Sequence, residues 1–363
     1  MNIPNAKKLT VAPLVCKNNR SENGGLPHLW IHTGAGPQIG FGHLNRCMIL
    51  AGELRDYARA FFVLRPEDLW SGEQLNAREG DWQIIEFSRL WSEQTILPAA
   101  ILIDTRISDG LDVLIKTARE KGVPVISMHD MGLNPLCSDI AVDGSIAASR
   151  HELPARRIFF GPAYMVLDPA LRESRRRHAR IRNEIQSIFI GLGGGDARKY
   201  FSRVLEGMKL WAAAAEREVE VVGMRGFIEW GQEDFNKETL RPLRFRWESN
   251  ASNVFLRNSD LAVTAGGLSA YEALCSGVPL LALSWDSLQQ TTIDGMEEAG
   301  ACVSLGAGDD LAPEFFADML GKIDRDVEAR KKMARRGIKI VDGRGSERVA
   351  AIIREIITNY EAI

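Results

Sequence analysis

Twice along this chain a short apolar run stops at a cluster of glycines and an amphipathic stretch follows. The first instance is Trp30-Ile31-His32-Thr33-Gly34-Ala35-Gly36-Pro37-Gln38-Ile39-Gly40-Phe41-Gly42-His43, with a helix expected over 44–54. The second is Ser187-Ile188-Phe189-Ile190-Gly191-Leu192, then Gly193-Gly194-Gly195-Asp196, with a helix expected over 200–217. A strand, a glycine turn and a helix feed a parallel neighbour strand, because the helix carries the chain back across the sheet. The remaining apolar runs agree. Residues 99–103 (Ala-Ala-Ile-Leu-Ile), 123–128, 261–264 and 278–284 are continuous and do not alternate, as in strands covered on both faces. Further short strands are expected at 29–32, 58–64, 82–87, 140–142, 158–161, 219–222, 245–247 and 301–305. Helices are expected over 111–121, 250–258, 270–276, 288–299, 313–323, 326–340 and 346–359. The fold class is α/β, built from two doubly wound, Rossmann-type units facing a central cleft.

A chain of 363 residues is long enough for two cores. The expected division is a polar N-terminal extension at 1–27, a first unit at 28–168, a basic linker at 169–185, a second unit at 186–345 and a C-terminal helix at 346–363. The linker holds Arg172, Arg175, Arg176, Arg177, Arg180 and Arg182. It reads as a solvated helix between the units, with a phosphate or nucleic-acid patch as the alternative. The formal net charge of −3 gives no global case for nucleic acid or an anionic membrane. Five dispersed cysteines without a CxxC pair argue against a disulfide framework or a zinc site. There is no signal peptide and no apolar run of membrane-spanning length, so a cytoplasmic protein without membrane insertion is expected.

Each glycine turn is a candidate anion site, because backbone N–H groups and the positive helix end converge there. His43 follows Gly40 and Gly42, with Arg46 one turn later. It is either a hydrogen-bonding structural residue or a base beside a docked anion. Gly266-Gly267-Leu268-Ser269 begins another helix, and Glu272 stands three residues after Ser269. That spacing is either a capping box or a carboxylate placed for a ribose diol. Asp286, Gln289 and Gln290 follow a buried strand and either cap the next helix or touch a nucleotide or sugar. Asp104 and Asp130 end or follow apolar strands, as turn residues or as substrate contacts. Gly194 belongs to a phosphate-loop candidate. No Walker lysine follows, and the first loop departs from GxGxxG spacing, so a nicotinamide cofactor is not expected. No DxD carboxylate pair ends a strand, so no metal is expected.

Taken in order, these motifs resemble a known family. Gly-Phe-Gly-His-Leu-Asn-Arg-Cys at 40–47 is similar to the GxGHxxRC segment of the nucleotide-sugar hydrolases of pseudaminic acid biosynthesis and the related spore-coat polysaccharide proteins. These are relatives of the GT-B glycosyltransferases, including the peptidoglycan transferase that makes lipid II. ILIDT at 101–105, SMHDMG at 127–132, FFGPAYMVLDPAL at 159–171, IFIGLGGGD at 188–196, DLAVTAGGLSAYEAL at 260–274 and VDGRGSERVAAII at 341–353 continue the resemblance. It implies hydrolysis of a UDP-activated deoxy amino sugar at the anomeric carbon, in nonulosonic acid biosynthesis. His43 would be the catalytic residue, and Ser269 and Glu272 would contact uridine and ribose. UDP would belong to the substrate, and no separate cofactor is implied. Thr105-Arg106 and Gln289-Gln290 differ from the family pattern around the sugar. Two alternatives stay open: a glycosyltransferase, which would also take a sugar acceptor, and a nucleotide-sugar binding protein without catalysis.

Overall fold

The computed structural model of this chain describes residues 25–36, 40–66, 68–78, 80–92, 96–131, 136–147, 153–174, 181–193, 197–225, 240–248 and 252–359. Residues 1–24 of the expected extension, residues 175–180 of the linker and Gly194 lie outside these.

The first sheet contains β1 (His28–Thr33), β2 (Arg59–Leu64), β3 (Trp82–Glu86), β4 (Ala100–Asp104), β5 (Val125–His129), β6 (Ile140–Asp143) and β7 (Arg157–Phe160), in the order β3-β2-β1-β4-β5-β6-β7. The second contains β8 (Ser187–Gly191), β9 (Val219–Met224), β10 (Leu243–Glu248), β11 (Leu261–Ala265), β12 (Leu280–Ser284) and β13 (Val303–Ala307), in the order β10-β9-β8-β11-β12-β13. Every pairing between these strands is parallel. Each sheet runs outward through its first three strands, then returns to the other side of its first strand. This puts one topological switch between β1 and β4 and a second between β8 and β11, where a crevice opens at the carboxyl ends of the strands.

Burial explains the strand composition. All five residues of β4, β11 and β12 are buried, so each strand needs apolar side chains on both faces. The covering helices bury one stripe each: α3 (Leu111–Glu120) buries Leu111, Leu114, Ile115 and Ala118, which recur at helical spacing. The expected elements mostly appear, with α1 (Gly42–Glu53), α5 (Arg198–Ala214), α6 (Ser252–Leu256), α7 (Leu268–Ser276), α8 (Ser287–Glu298), α9 (Pro313–Arg325) and α10 (Val327–Ile340).

Three departures have physical causes. A helix α2 (Leu69–Ala77) fills a stretch for which no element was expected. Gly72 in its middle lowers helix propensity and its apolar periodicity is weak. Among its described residues the basic linker is helical as α4 (Ala170–Ser174), and residues 181–186 run without helix. That run is held by side chains of the second unit. Asp260 accepts from the Gln186 and Ser187 amides, each at 3.0 Å, and Asp324 from the Ile185 amide at 2.8 Å. The fully buried Arg330 guanidinium donates to the carbonyls of Arg182, Asn183, Ile323 and Asp324. Finally, α11 (Gly345–Asn359) is no appendage. The chain crosses back and packs Val349, Ile353 and Ile356 into the core of the first unit, with Leu44 and Leu50 of α1. At this crossing a Cβ on Gly345 would lie 2.0 Å from the Met165 carbonyl oxygen, so only glycine fits. Among the described residues no helix is long and apolar enough to cross a membrane.

Candidate active site

The first switch point holds a buried charge cluster. Gly40 adopts a positive φ of 74° and closes the glycine loop by pairing with Gly36, its amide donating to the Gly36 carbonyl at 2.7 Å. The loop delivers the chain to α1, whose N-cap is Phe41 and whose first turn has no side-chain cap and no acidic residue. Gly42 is the first residue of α1 and His43 the second. Arg46, three residues on, lies on the same helical face. Thr33 at the end of β1 is in register with Asp104 at the end of β4. The sheet therefore brings a carboxylate from 61 residues away to the histidine: His43 Nδ1 lies 2.7 Å from Asp104 Oδ1.

Arg46 ties the cluster together. It donates through Nε to Asp104 Oδ2 and through Nη2 to Asp104 Oδ1, both at 2.5 Å, and through Nη1 to Asp130 Oδ1 at 2.7 Å. Burial alone would raise both carboxyl groups. The charges and hydrogen bonds of Arg46 and His43 outweigh it and hold Asp104 well below the usual carboxylate range, with Asp130 also lowered. Burial opposes the charge on Arg46 in turn, and the two aspartates overcome it, so the guanidinium stays charged. An ionised Asp104 can only accept, so the short contact requires the proton on His43 Nδ1. In the neutral form of the ring this leaves the lone pair on Nε2. That nitrogen lies 3.7 Å from Asp130 Oδ2, and the Asp130 side chain is 26% exposed. The Cys47 thiol, raised by burial, donates to Asp104 at 3.6 Å and completes the enclosure.

His32 at the end of β1 offers a contrast. It faces Phe87 at 5.1 Å between ring centroids and pairs with the Val63 carbonyl at 2.9 Å. Burial lowers its pKa to about 4, so it is neutral and serves packing.

The second switch point is built from glycines and amides instead. Gly267 is the N-cap of α7 and no side chain caps that helix. Ser269 is therefore the second helical residue, and the Ser269–Glu272 capping box does not form. A Cβ on Gly266 would lie 2.5 Å from the Gln289 carbonyl oxygen, so α8 packs directly on this turn. Ser269 Cβ lies 3.4 Å from the point a Gly191 Cβ would occupy, which joins the end of β8 to the start of α7. Glu272 is half-buried, and burial, helped by Asp168, pushes its carboxyl up to about 7.

The remaining candidates make local hydrogen bonds. Asp286 is the N-cap of α8 and accepts from the Gln289 amide at 2.8 Å. Gln289 accepts from the Trp285 amide at 3.1 Å. Gln290 accepts from Ser284 and donates to Asp294, each at 2.7 Å, tying β12 to α8. Asp104, expected at the substrate, is fully buried and stands behind His43 instead. Sequence reasoning missed Tyr271 and Thr292. The Tyr271 hydroxyl accepts from the Ile146 amide at 3.0 Å, and Thr292 reaches Met131 Sδ at 3.4 Å, so α7 and α8 of the second unit touch the loops around Asp130 in the first. Among the described residues, no group of three or more His, Cys, Asp or Glu side chains is arranged to hold a metal ion.

No protein-family model matches the chain. It is 25% identical over 354 residues to the spore coat polysaccharide biosynthesis protein SpsG of Bacillus subtilis (strain 168), covering 91% of this chain and 98% of that protein. The fold matches MurG of Acinetobacter baumannii with a TM-score of 0.62 at 14% identity, over 91% of this chain and 100% of that one. It matches Arabidopsis thaliana UGT89C1 complexed with UDP equally well, with a TM-score of 0.62 at 14% identity over 91% of this chain and 99% of that one. The chain thus resembles SpsG along nearly its whole length, and its two parallel-sheet units form a GT-B-type fold.

Proposed function

We propose that this chain is an enzyme of polysaccharide biosynthesis that cleaves a UDP-activated sugar at the anomeric carbon and passes the glycosyl group to an acceptor hydroxyl. The likeness to SpsG supports the setting, and the likeness to solved glycosyltransferases, one of them complexed with UDP, supports a transfer reaction. The observation that carries the reading is the 2.7 Å contact between His43 Nδ1 and Asp104, which leaves Nε2 as a base.

In this reading the uncapped start of α7 and the Gly266-Gly267 turn receive the diphosphate, and Glu272 receives the ribose diol. The acceptor oxygen attacks the anomeric carbon. The bond from that carbon to the diphosphate oxygen breaks, and its electron pair leaves with UDP. The acceptor proton passes to His43 Nε2, and Asp104 stabilises the imidazolium that forms. Amides at the helix starts stabilise the charge on the departing diphosphate.

One observation favours a second reading, hydrolysis. In the neutral form of His43, Nε2 and Asp130 Oδ2 are both acceptors and lie 3.7 Å apart. A water molecule has two protons to give them, whereas an acceptor hydroxyl has one. The test is UDP release from UDP-activated amino sugars with and without added glycan acceptor. Release that requires the acceptor supports transfer, and equal release without it supports hydrolysis. Saturable binding with no release in either arm overturns the enzymatic reading and leaves a nucleotide-sugar binding protein.

A further inference from the structure

Tyr271 sits on α7 between Ser269 and Glu272, and its ring is buried in the second unit's core with Phe189, Leu274 and Ile293. A phenylalanine would fill that space as well. The hydroxyl adds a bond out of its own unit: it accepts from the Ile146 amide of the first unit, 125 residues away. The turn that presents this amide is stiff, because Asp143 Oδ1 accepts from the Ser145 amide at 2.9 Å and from its hydroxyl at 2.6 Å. Thr292 of α8 hydrogen-bonds the same Tyr271 hydroxyl and also contacts Met131. Met131 holds a left-handed φ of 54°, uncommon for a residue other than glycine, directly after Asp130. Asp130 in turn is bonded to Arg46, and Arg46 to the carboxylate behind His43. A continuous set of bonded groups therefore runs from the first turns of α7 to the base.

We propose that Tyr271 is the positioning residue through which nucleotide binding at α7 sets the place of His43. The proposal rests on the reading of α7 as the nucleotide site and His43 as the base. Its substrate-side consequence is that UDP, and not the sugar alone, registers the two units against each other. The hydroxyl does not touch the reacting atoms. Its effect should therefore appear in turnover and in the cross-unit bond, and not in nucleotide affinity.

The test compares the full-length wild type with Tyr271→Phe, using UDP as the probe. Hydrogen exchange is followed at the Ile146 amide. In the wild type, saturating UDP should slow this exchange. In Tyr271→Phe the exchange should be about tenfold faster and no longer respond to UDP. UDP affinity should stay within about twofold while kcat on a UDP-sugar falls about tenfold at unchanged KM, the pattern of a misplaced base. Thr292→Val should shift kcat in the same direction by less. Ile146 exchange that ignores UDP in the wild type overturns the proposal, as does a Tyr271→Phe variant with wild-type kcat or with a loss confined to UDP affinity. The exchange arm needs no turnover. An enzyme that cleaves no UDP-sugar would count against the proposed chemistry, and the exchange would still decide the role of Tyr271.

Discussion

The two switch points have one topology and opposite chemistry. Both lie where a doubly wound sheet reverses, and both open on a glycine turn that leads into a helix without a side-chain cap. In the first unit that helix carries His43 and Arg46 to two aspartates, the buried Asp104 and the partly exposed Asp130. In the second, α7, which follows β11 and not the first strand of its sheet, has Gly267 as its N-cap and starts with leucine and serine, and the Glu272 carboxyl is pushed up by burial with help from Asp168. Topology fixes where a crevice forms, and side chains decide what it does. In the proposed function the first crevice moves a proton, and the second offers the amides at the start of α7 to the diphosphate.

The comparison breaks most visibly at Asp104. Asp104→Asn should leave Arg46 underpaired and remove the acceptor that fixes the His43 tautomer. Turnover should fall roughly a thousandfold, and stability should drop by about 3 kcal/mol, because a buried charge loses its partner. Single-turnover UDP release and chemical denaturation measure the two effects. At the second switch point, Gly266→Ala pushes a methyl into the Gln289 backbone. Stability should fall by about 2 kcal/mol, and UDP binding by calorimetry should weaken about tenfold as α7 and α8 separate.

Glu272 sharpens the contrast through pH. Its folded-state pKa of about 7 lies above the ordinary 4.5, so the folded chain binds this proton more tightly than the unfolded chain. The Glu272 contribution to stability is therefore fully present below about 4.5 and is lost as pH rises to about 7. Melting curves of Glu272→Gln should gain on the wild type across that interval and run parallel to it above. UDP affinity of the wild type should rise over the same interval, as the ionised carboxylate accepts the ribose hydroxyls, and Glu272→Gln should flatten the rise. The smallest effect is expected at Asp286. Asp286→Ala should lower stability by about 1 kcal/mol as a lost helix cap, with UDP affinity changed by less than about twofold.

Much of the fold was legible because buried parallel strands are written as continuous apolar runs, as in Ala-Ala-Ile-Leu-Ile before Asp104. Glycine clusters marked both switch points. What stayed hidden depends on partners distant in sequence. Asp104 could be read as a strand end, but its roles as orienter of His43 and partner of Arg46 come from residues 61 and 58 positions away. Arg330, amid the charged run Glu-Ala-Arg-Lys-Lys, reads as solvated, yet it is fully buried against backbone carbonyls. The Ser269–Glu272 spacing matches a capping box, but the helix begins at Leu268, one residue before the serine, and Gly267 takes the cap position. The back-crossing of α11 is equally unreadable, because its apolar face would suit either core.

The division of labour between the switch points is tested most directly at His43. His43→Ala keeps the Asp104–Arg46–Asp130 ion pairs and leaves α7 untouched. The account predicts UDP affinity within about threefold of wild type and turnover of a UDP-sugar reduced by at least about a hundredfold. Turnover within a few fold of wild type, or a loss of UDP affinity that accounts for the whole drop, would contradict it.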